Sequence, residues 1–234
     1  MDGVEDGIWE LRRVEGRGTR VLNPAPSLLT CHDKLQTALR LASRSIPHPP
    51  TGHIDERGPQ RPVEFPVVVK PRFGSWGHDV ELCKSRSELD RWLERIRIRP
   101  WFQRQGALVQ RLVQPLGFDL RLVVARGCVV GAIERVAAVG EWRTNIALGG
   151  SRRPVVPPPE ACSLAIAAAD AVGADLVGVD LLPLPDGGYV VLEVNGAVDF
   201  TAEYSLAGRE IFAAVAEQIC AEEVDVDIAL AVPS

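Results

Sequence analysis

The sequence predicts an α+β fold with mainly antiparallel sheets, and three observations carry that prediction. Val- and Leu-rich runs of strand length recur from "VVVKP" at 67–71 to "YVVLEV" at 189–194. Several are joined by tight-turn signals, "PDGG" at 185–188 being the strongest, and short turns make neighbouring strands antiparallel. Segments with helical spacing are interspersed, and no internal repeat or long low-complexity tract interrupts the pattern.

In chain order, "DGIWELRRVEGRG" (6–18) reads as a short helix closed by glycine, followed by "VLNPAPSL" (21–28) as a loop or short strand. "HDKLQTALRLASRSI" (32–46) has helical spacing, with His32 or Asp33 near its start. "PHPPTGHIDERGPQRPVEFP" (47–66), dense in Pro and Gly, reads as loop. "VVVKP" is a short strand, "RFGSWGHD" (72–79) a glycine-bearing loop and "VELCK" (80–84) a second strand. "SELDRWLERIRI" (87–98) is a helix with Ser87 as its cap. "ALVQRLV" (107–113) is a strand, and "FDLRLVVARGCVVGAIERVA" (118–137) a hairpin. The polar loop "GEWRTNIALGGSRRPVVPPP" (140–159) leads into the alanine-rich helix "EACSLAIAAADAVG" (160–173). A hairpin, "GVDLLPLPDGGYVVLEVN" (178–195), and a closing helix, "GREIFAAVAEQICAEE" (208–223), complete the pattern.

With 234 residues, 46% of them hydrophobic, the chain can bury a substantial core in one large domain or two smaller ones. A net charge of −5 argues against general nucleic-acid or anionic-membrane binding. The cysteines at 31, 83, 128, 162 and 220 are scattered and odd in number, which suits reduced cytosolic thiols better than a disulfide frame or zinc site. No apolar run reaches the length of a membrane span, and the acidic start "MDGVEDGIWELRR" is unlike a signal peptide, so a cytoplasmic location is expected.

The polar residues on apolar strands carry the chemistry. Glu193 and Asn195 are two apart and share one strand face, and pairing of the hairpin brings Asp180 beside them. Each alone could face solvent or end a strand. Together they make a set of hard oxygen donors suited to Mg²⁺, because unpaired buried carboxylates are costly. Lys70 ends the "VVVKP" strand, with Gly74 and Gly77 in the loop that follows. Such a loop brings backbone amides close to phosphate oxygens, although "GSWG" alone is as much an ordinary hairpin loop, and Lys70 alone a surface lysine. Asp119 and Arg121 share a strand face, and Arg135, Arg143 and Asn145 follow before a "GG" loop. Arg135 by itself would be an exposed salt bridge; the three arginines and the asparagine together suit an anion site.

The order of these pieces, "HDKLQTALRLASRSIPHPPT", "VVVKPRFGSWGHDV", "LVQRLV", "GFDLRLVVARGCVVGAIERVA", "EWRTNIALGG" and "GVDLL…VVLEVN", resembles the ATP-grasp ligases. The nearest branch is the RimK and LysX group, which ligates an amino acid to a carboxylate, and the likeness runs from about Asn23 to about Cys220. The resemblance implies ATP between two α+β subdomains, with Lys34 and Lys70 on its phosphates and the loop of Gly74, Ser75, Trp76 and Gly77 closing over them. Gln110, Arg111, Leu112 and Val113 would be the hinge that reads the adenine. Asp180, Glu193 and Asn195 would hold Mg²⁺, as two ions that Mn²⁺ can replace. Arg135 would bind the phosphates, and Arg121, Arg143 and Asn145 the acyl phosphate and acceptor carboxylate.

The implied division is 1–29 as the end of a preceding domain, 30–106 as the phosphate-loop subdomain, 107–223 as the metal-site subdomain and 224–234 as a tail. The family carries a whole α/β domain before the "DK" helix, of which the first segment resembles only the last helix and strand. Apolar surface exposed there would favour a homo-oligomer. "EVNGAVDFTAEYS" lacks the Pro that follows Glu-x-Asn in RimK-like enzymes and leans towards LysX. The acceptor could then be a carrier protein, a peptide C-terminus or a small glutamyl compound, joined to a small amino acid. An ATP-binding module that has lost ligase activity is the alternative. Arginines 95, 97, 99 and 104 read first as a solvated face near a helix end, and second as a dock for an acidic carrier peptide.

Overall fold

The computed structural model describes residues 4–230 except Arg61 and Ser75. Two five-stranded sheets are built one after the other along the chain, and every strand pairing among the described residues is antiparallel. The first contains β1 (Thr51–Asp55), β2 (Gly58–Pro59), β3 (Val67–Pro71), β4 (Glu81–Cys83) and β5 (Ala107–Arg111), in the order β2-β1-β5-β3-β4. The second contains β6 (Phe118–Ala125), β7 (Cys128–Val136), β8 (Ser151–Pro154), β9 (Leu176–Pro183) and β10 (Tyr189–Asn195), in the order β10-β9-β6-β7-β8. The helices are α1 (Val4–Glu15), α2 (Ala25–His32), α3 (Lys34–Ser43), α4 (Arg86–Ile96), α5 (Pro100–Gln105), α6 (Pro159–Val172) and α7 (Ile211–Leu230). This is the α+β class that the sequence predicts, and no described helix is long and apolar enough to cross a membrane.

Alternation along each strand decides what the sheets bury. In the first sheet Val67, Val69, Ala107 and Val109 pack on Leu89, Ile96 and Phe102 of α4 and α5. Their neighbours Val68, Lys70 and Gln110 point the other way, into a cleft. In the second sheet Leu120, Leu122, Val179, Leu181 and Val191 pack on Ala161, Ala165, Ala168 and Ala169 of α6. Alanines let that helix lie close, and each fully buried Leu or Val contributes roughly 1.5–3 kcal/mol. The opposite face is divided: one end packs Val123 and Ile133 against Ile211 and Val215 of α7, and the other end is charged.

Several elements depart from the sequence expectation. The Pro- and Gly-rich stretch 47–66 contains β1 and β2, because β1 is completed by pairing with β5, the separation between Thr51 and Gln110 or Ile54 and Ala107 in sequence being no obstacle to that. The segment expected as loop or strand at 21–28 turns helical at Ala25, since Pro24 and Pro26 sit at the start of α2, where amides need no helical partner. Ser85, not Ser87, caps α4: its hydroxyl accepts from the Glu88 amide at 3.3 Å, and the Glu88 carboxylate accepts from the Lys84 amide at 2.7 Å. The polar loop 140–159 contains β8, an exposed edge strand with no apolar alternation to announce it. β5, assigned by sequence to the start of the second segment, lies at the centre of the first sheet, and α7 continues to Leu230 through most of the expected tail.

The front segment is tied to the second sheet through Asn23, whose amide nitrogen donates to the Leu176 carbonyl at 2.6 Å and the Gly196 carbonyl at 2.9 Å, while its oxygen accepts from the Leu176 amide at 2.7 Å. Ile8 of α1 is buried, whereas Trp9 is 62% exposed.

At the start of β5, Gly106 has φ +64°, and a Cβ there would lie 2.5 Å from both the Ile54 carbonyl oxygen and His53 Nε2. Gly106→Ala should therefore destabilise the protein by about 2–4 kcal/mol, combining left-handed strain with overpacking, as read from urea unfolding.

Candidate active site

The charged end of the second sheet is assembled by strand register. Glu193 lies opposite Asp180, Asp180 opposite Arg121, and Asp119 opposite Arg135, so these residues stand on one face across four strands. A register shift between Val191 and Glu193 turns both Leu192 and Glu193 into the cleft. Arg121 forks onto Asp180 with Nε–Oδ1 at 2.6 Å and Nη2–Oδ2 at 2.7 Å. Arg135 forks onto Asp119, Nε–Oδ1 being 2.8 Å, and its Nη2 also lies 3.0 Å from Asp180 Oδ2. Thr144 donates its hydroxyl to Asp119 Oδ2 at 2.8 Å.

Asp119 is 1% and Asp180 3% exposed, so solvent does little for either charge. Burial alone would raise Asp180, but the Arg121 and Arg135 guanidiniums overcome it and hold the carboxyl down to about 2. Asp119 goes the other way: burial raises it, opposed by Arg135.

The facing wall is cationic. Lys70 is buried on β3, and burial pushes its ammonium down to about 8, against the pull of Glu193 and Asp180 and with the help of Lys34. Lys34 begins α3, where Asp33 caps the helix and is itself gripped by Arg72, with Nε–Oδ1 at 2.8 Å and Nη2–Oδ2 at 2.5 Å. Lys34 Nζ reaches the Gly74 carbonyl at 2.5 Å and Glu193 Oε1 at 3.1 Å, linking the glycine loop to β10. In that loop Gly74, Trp76 and Gly77 all have positive φ, at 145°, 66° and 74°, and the Trp76 side chain is 65% exposed; Ser75 lies outside the described residues. At the far edge, Gln110 donates to Thr51 Oγ1 at 2.9 Å, while the Arg111 and Leu112 amides donate to the Pro50 and Pro66 carbonyls at 2.9 and 3.0 Å.

One cleft, with about 1070 Å³ of empty space partly continuous with solvent, brings these residues together. Lys34, Lys70, Gly74, Trp76, Gly77 and Gln110 to Val113 line it from the first wall, and Arg135, Arg143, Asn145, Asp180 and Glu193 from the second. Arg121 and Asn195 do not line it: Arg121 is turned onto Asp180, and the Asn195 amide donates to the Gly178 carbonyl at 3.4 Å. Sequence reasoning missed Thr144 and Glu141 as partners in this site, and placed Asp119 on the strand face of Arg121 without giving it a role there.

The donor chemistry suits a hard divalent cation, since two carboxylates and a carboxamide are presented by adjacent strands. Among the described residues no three His, Cys, Asp or Glu side chains cluster to hold a metal. Both carboxylates are at present balanced by Arg121, Arg135 and Lys34.

Two antiparallel sheets closing on a cleft, with lysines and a glycine loop on one and an acid–arginine array on the other, define the ATP-grasp class. The chain belongs to the RimK-like ATP-grasp domain family, whose model matches residues 32–219. It is 34% identical over 209 residues to N-acetylaspartylglutamate synthase A of Homo sapiens, covering 85% of this chain and 51% of that protein. To alpha-aminoadipate–LysW ligase LysX of Sulfolobus acidocaldarius it is 33% identical over 190 residues, covering 80% and 68%. The chain thus spans about half the length of synthase relatives such as the first. Among solved structures, D-alanine–D-alanine ligase from Bacillus anthracis with ATP shares the fold at TM-score 0.67 and 19% identity, over 92% of this chain and 74% of that one. D-cycloserine synthetase DcsG does so at TM-score 0.68 and 21% identity, over 92% and 79%.

Asp180→Ala should cost about 3–5 kcal/mol of stability, because it strips Arg121 of its partner and Arg135 of one of two. For Lys70 the folded value near 8 lies below the ordinary 10.5, so between those pH values the unfolded chain holds a proton that the folded chain has released. The burial penalty is full below pH 8 and fades above it. Wild-type stability should therefore rise relative to Lys70→Met between pH 8 and pH 10, measured as the difference in urea midpoints.

Proposed function

We propose that the chain is the catalytic core of an ATP-dependent carboxylate–amine ligase, which activates a carboxylate as an acyl phosphate and joins it to an amino-acid amine. The observation that carries this reading is the cleft in which the Lys34, Lys70 and glycine-loop wall faces the Asp119–Arg135–Asp180 wall, with Arg121 behind Asp180.

Lys34 and Lys70 would grip the phosphates, with amides of the glycine loop approaching the same oxygens. Val68, Leu182 and Leu192 line an apolar slot for the base. With the Arg111 and Leu112 amides engaged by Pro50 and Pro66, the Val113 amide is left to read the base edge. Asp180, Glu193 and Asn195 would hold Mg²⁺, as one or two ions that Mn²⁺ can replace, whose contribution is to offset charge on the phosphoryl oxygens. Arg121 acts through Asp180, holding that carboxylate ionised. Arg143 and Asn145, on the loop at the open side, would receive the substrate carboxylate.

A carboxylate resists amine attack because its charge is delocalised and oxide is a poor leaving group. Transfer of the γ-phosphoryl group of ATP to the carboxylate oxygen gives ADP and an acyl phosphate. The amine then attacks the acyl carbon, the C–O bond to phosphate breaks, and an amide, phosphate and a proton are released. Closure of the glycine loop keeps water from the acyl phosphate. The names of the relatives suggest a glutamate-like amine, or a carrier-protein carboxylate, as partner. With β5 counted in the first sheet, we read 30–111 and 112–223 as the two working halves, flanked by 1–29 and a C-terminal tail, and the cytoplasm as the site of action. A nucleotide-binding module without turnover is the second reading.

Thermal unfolding with a nonhydrolysable ATP analogue tests the reading. At a hundred times its dissociation constant the analogue should add roughly 2.7 kcal/mol of stability. The Mg²⁺-dependent part should vanish in Glu193→Gln and Asn195→Ala, which spare the Asp180 pairings. Absence of any shift in the folded wild type would sink the nucleotide reading. Binding without ADP release, across glutamate and carboxylate acceptors, would favour the module.

A further inference from the structure

Glu141 has no part in the reading above, yet four donors converge on its carboxylate. Oε1 accepts from the Trp142 amide at 2.9 Å, the Arg143 amide at 3.0 Å and Arg143 Nε at 3.0 Å, and Oε2 accepts from Arg143 Nη2 at 2.8 Å. The side-chain and backbone donors of Arg143, followed by the Trp142 amide, hold the carboxyl down to about 2. An exposed ion pair is ordinarily worth little, since two flexible side chains must be ordered to form it. Here the backbone amides fix the carboxylate, and the fork fixes the guanidinium.

What this leaves free is Arg143 Nη1, and it donates to the Gly77 carbonyl at 3.2 Å. Gly77 belongs to the glycine loop of the first sheet, whereas Glu141 and Arg143 sit on the loop between β7 and β8 of the second. Contact is close at this point: a Cβ on Gly77 would lie 3.1 Å from Asn145 Oδ1 and 3.4 Å from Leu148 Cδ1. Glu81, at the start of β4, adds attraction for the Arg143 charge from the first-sheet side.

We infer that Glu141 is the positioning residue of a clasp, orienting Arg143 so that its guanidinium ties the glycine loop to the β7–β8 loop across the mouth of the cleft. Lys34, which joins Gly74 to Glu193, crosses the same gap deeper inside. The two crossings hold the loop at both ends of its run from Gly74 to Gly77. The clasp stands on this geometry alone. Its consequence, slower escape of a bound nucleoside diphosphate, rests on the nucleotide reading of the cleft.

Hydrogen–deuterium exchange of the ligand-free protein decides the clasp. In Glu141→Gln and in Arg143→Met, amides of the segment 76–80 should exchange about tenfold faster, the effect expected of one lost charge-assisted contact. Peptides from β6 should keep wild-type rates, and the double variant should show no further rise, because Glu141 acts through Arg143. Wild-type exchange in Glu141→Gln, or effects that add in the double variant, would overturn the clasp. Release of a fluorescent ADP analogue with Mg²⁺ should quicken in Glu141→Gln by a similar factor, with association unchanged. Unchanged release from a loop whose exchange has risen would overturn the consequence. A wild type that binds no ADP analogue would remove the nucleotide reading and leave the exchange result to decide the clasp.

Discussion

The cleft depends on the carboxylate of Asp180 remaining ionised while almost wholly buried. An unpaired carboxylate in that position would cost several kcal/mol or take up a proton. Two guanidiniums prevent this, and neither can be supplied locally: Arg121 comes from β6 and Arg135 from β7. The ion row therefore constrains register. Slipping β9 by one residue against β6 would carry Asp180 to the α6 side, among alanines, and turn Val179 or Leu181 into the charged face. Register and charge pairing thus enforce each other, and the apolar packing on α6 is the other half of the same constraint.

Charge counting explains why the two walls differ. Lys34, Lys70, Arg121 and Arg135 stand against Asp119, Asp180 and Glu193, four cations to three anions, and the Glu141–Arg143 pair adds nothing net. The surplus lies on the first wall, where Lys70 is buried with no carboxylate among the described residues in salt-bridge contact. An anion entering the cleft would be drawn to that side. A triphosphate carries more negative charge than this surplus can balance, and the metal ions proposed for the second wall would supply the remainder.

Much of this was legible in the sequence, and the exceptions share a cause. The β6–β7 and β9–β10 hairpins and the alanine-rich α6 declare themselves through local patterns: turn residues, strand alternation and a closing glycine. The residues that meet in the cleft were also nameable, because Lys, Arg, Asp and Glu on apolar strands are conspicuous. Who pairs with whom was not. That Arg121 would be turned onto Asp180, that Asp119 would hold Arg135 and Thr144, and that Arg143 would take a backbone carbonyl of the opposite sheet are consequences of long-range register. β1 was hidden for the same reason, since its short sequence between prolines becomes a strand only beside β5.

Two residues go against local preference, and both mark the same place. Lys34 opens α3, where the helix dipole disfavours a cation, and the stretch survives because Asp33 caps it and Arg72 secures Asp33. Lys70 interrupts a strand whose neighbours Val67, Val68 and Val69 are all buried, and it is desolvated enough to lose much of its affinity for a proton. Neither position is explained by folding, since an apolar residue at 70 and an acidic one at 34 would each suit the local structure better. The electrostatic coupling of both to Glu193 is what unites them. Sequences depart from local consistency where a site requires it. Here the two departures come from different elements and converge on one point of the cleft, which is where a phosphate chain would gain most from them.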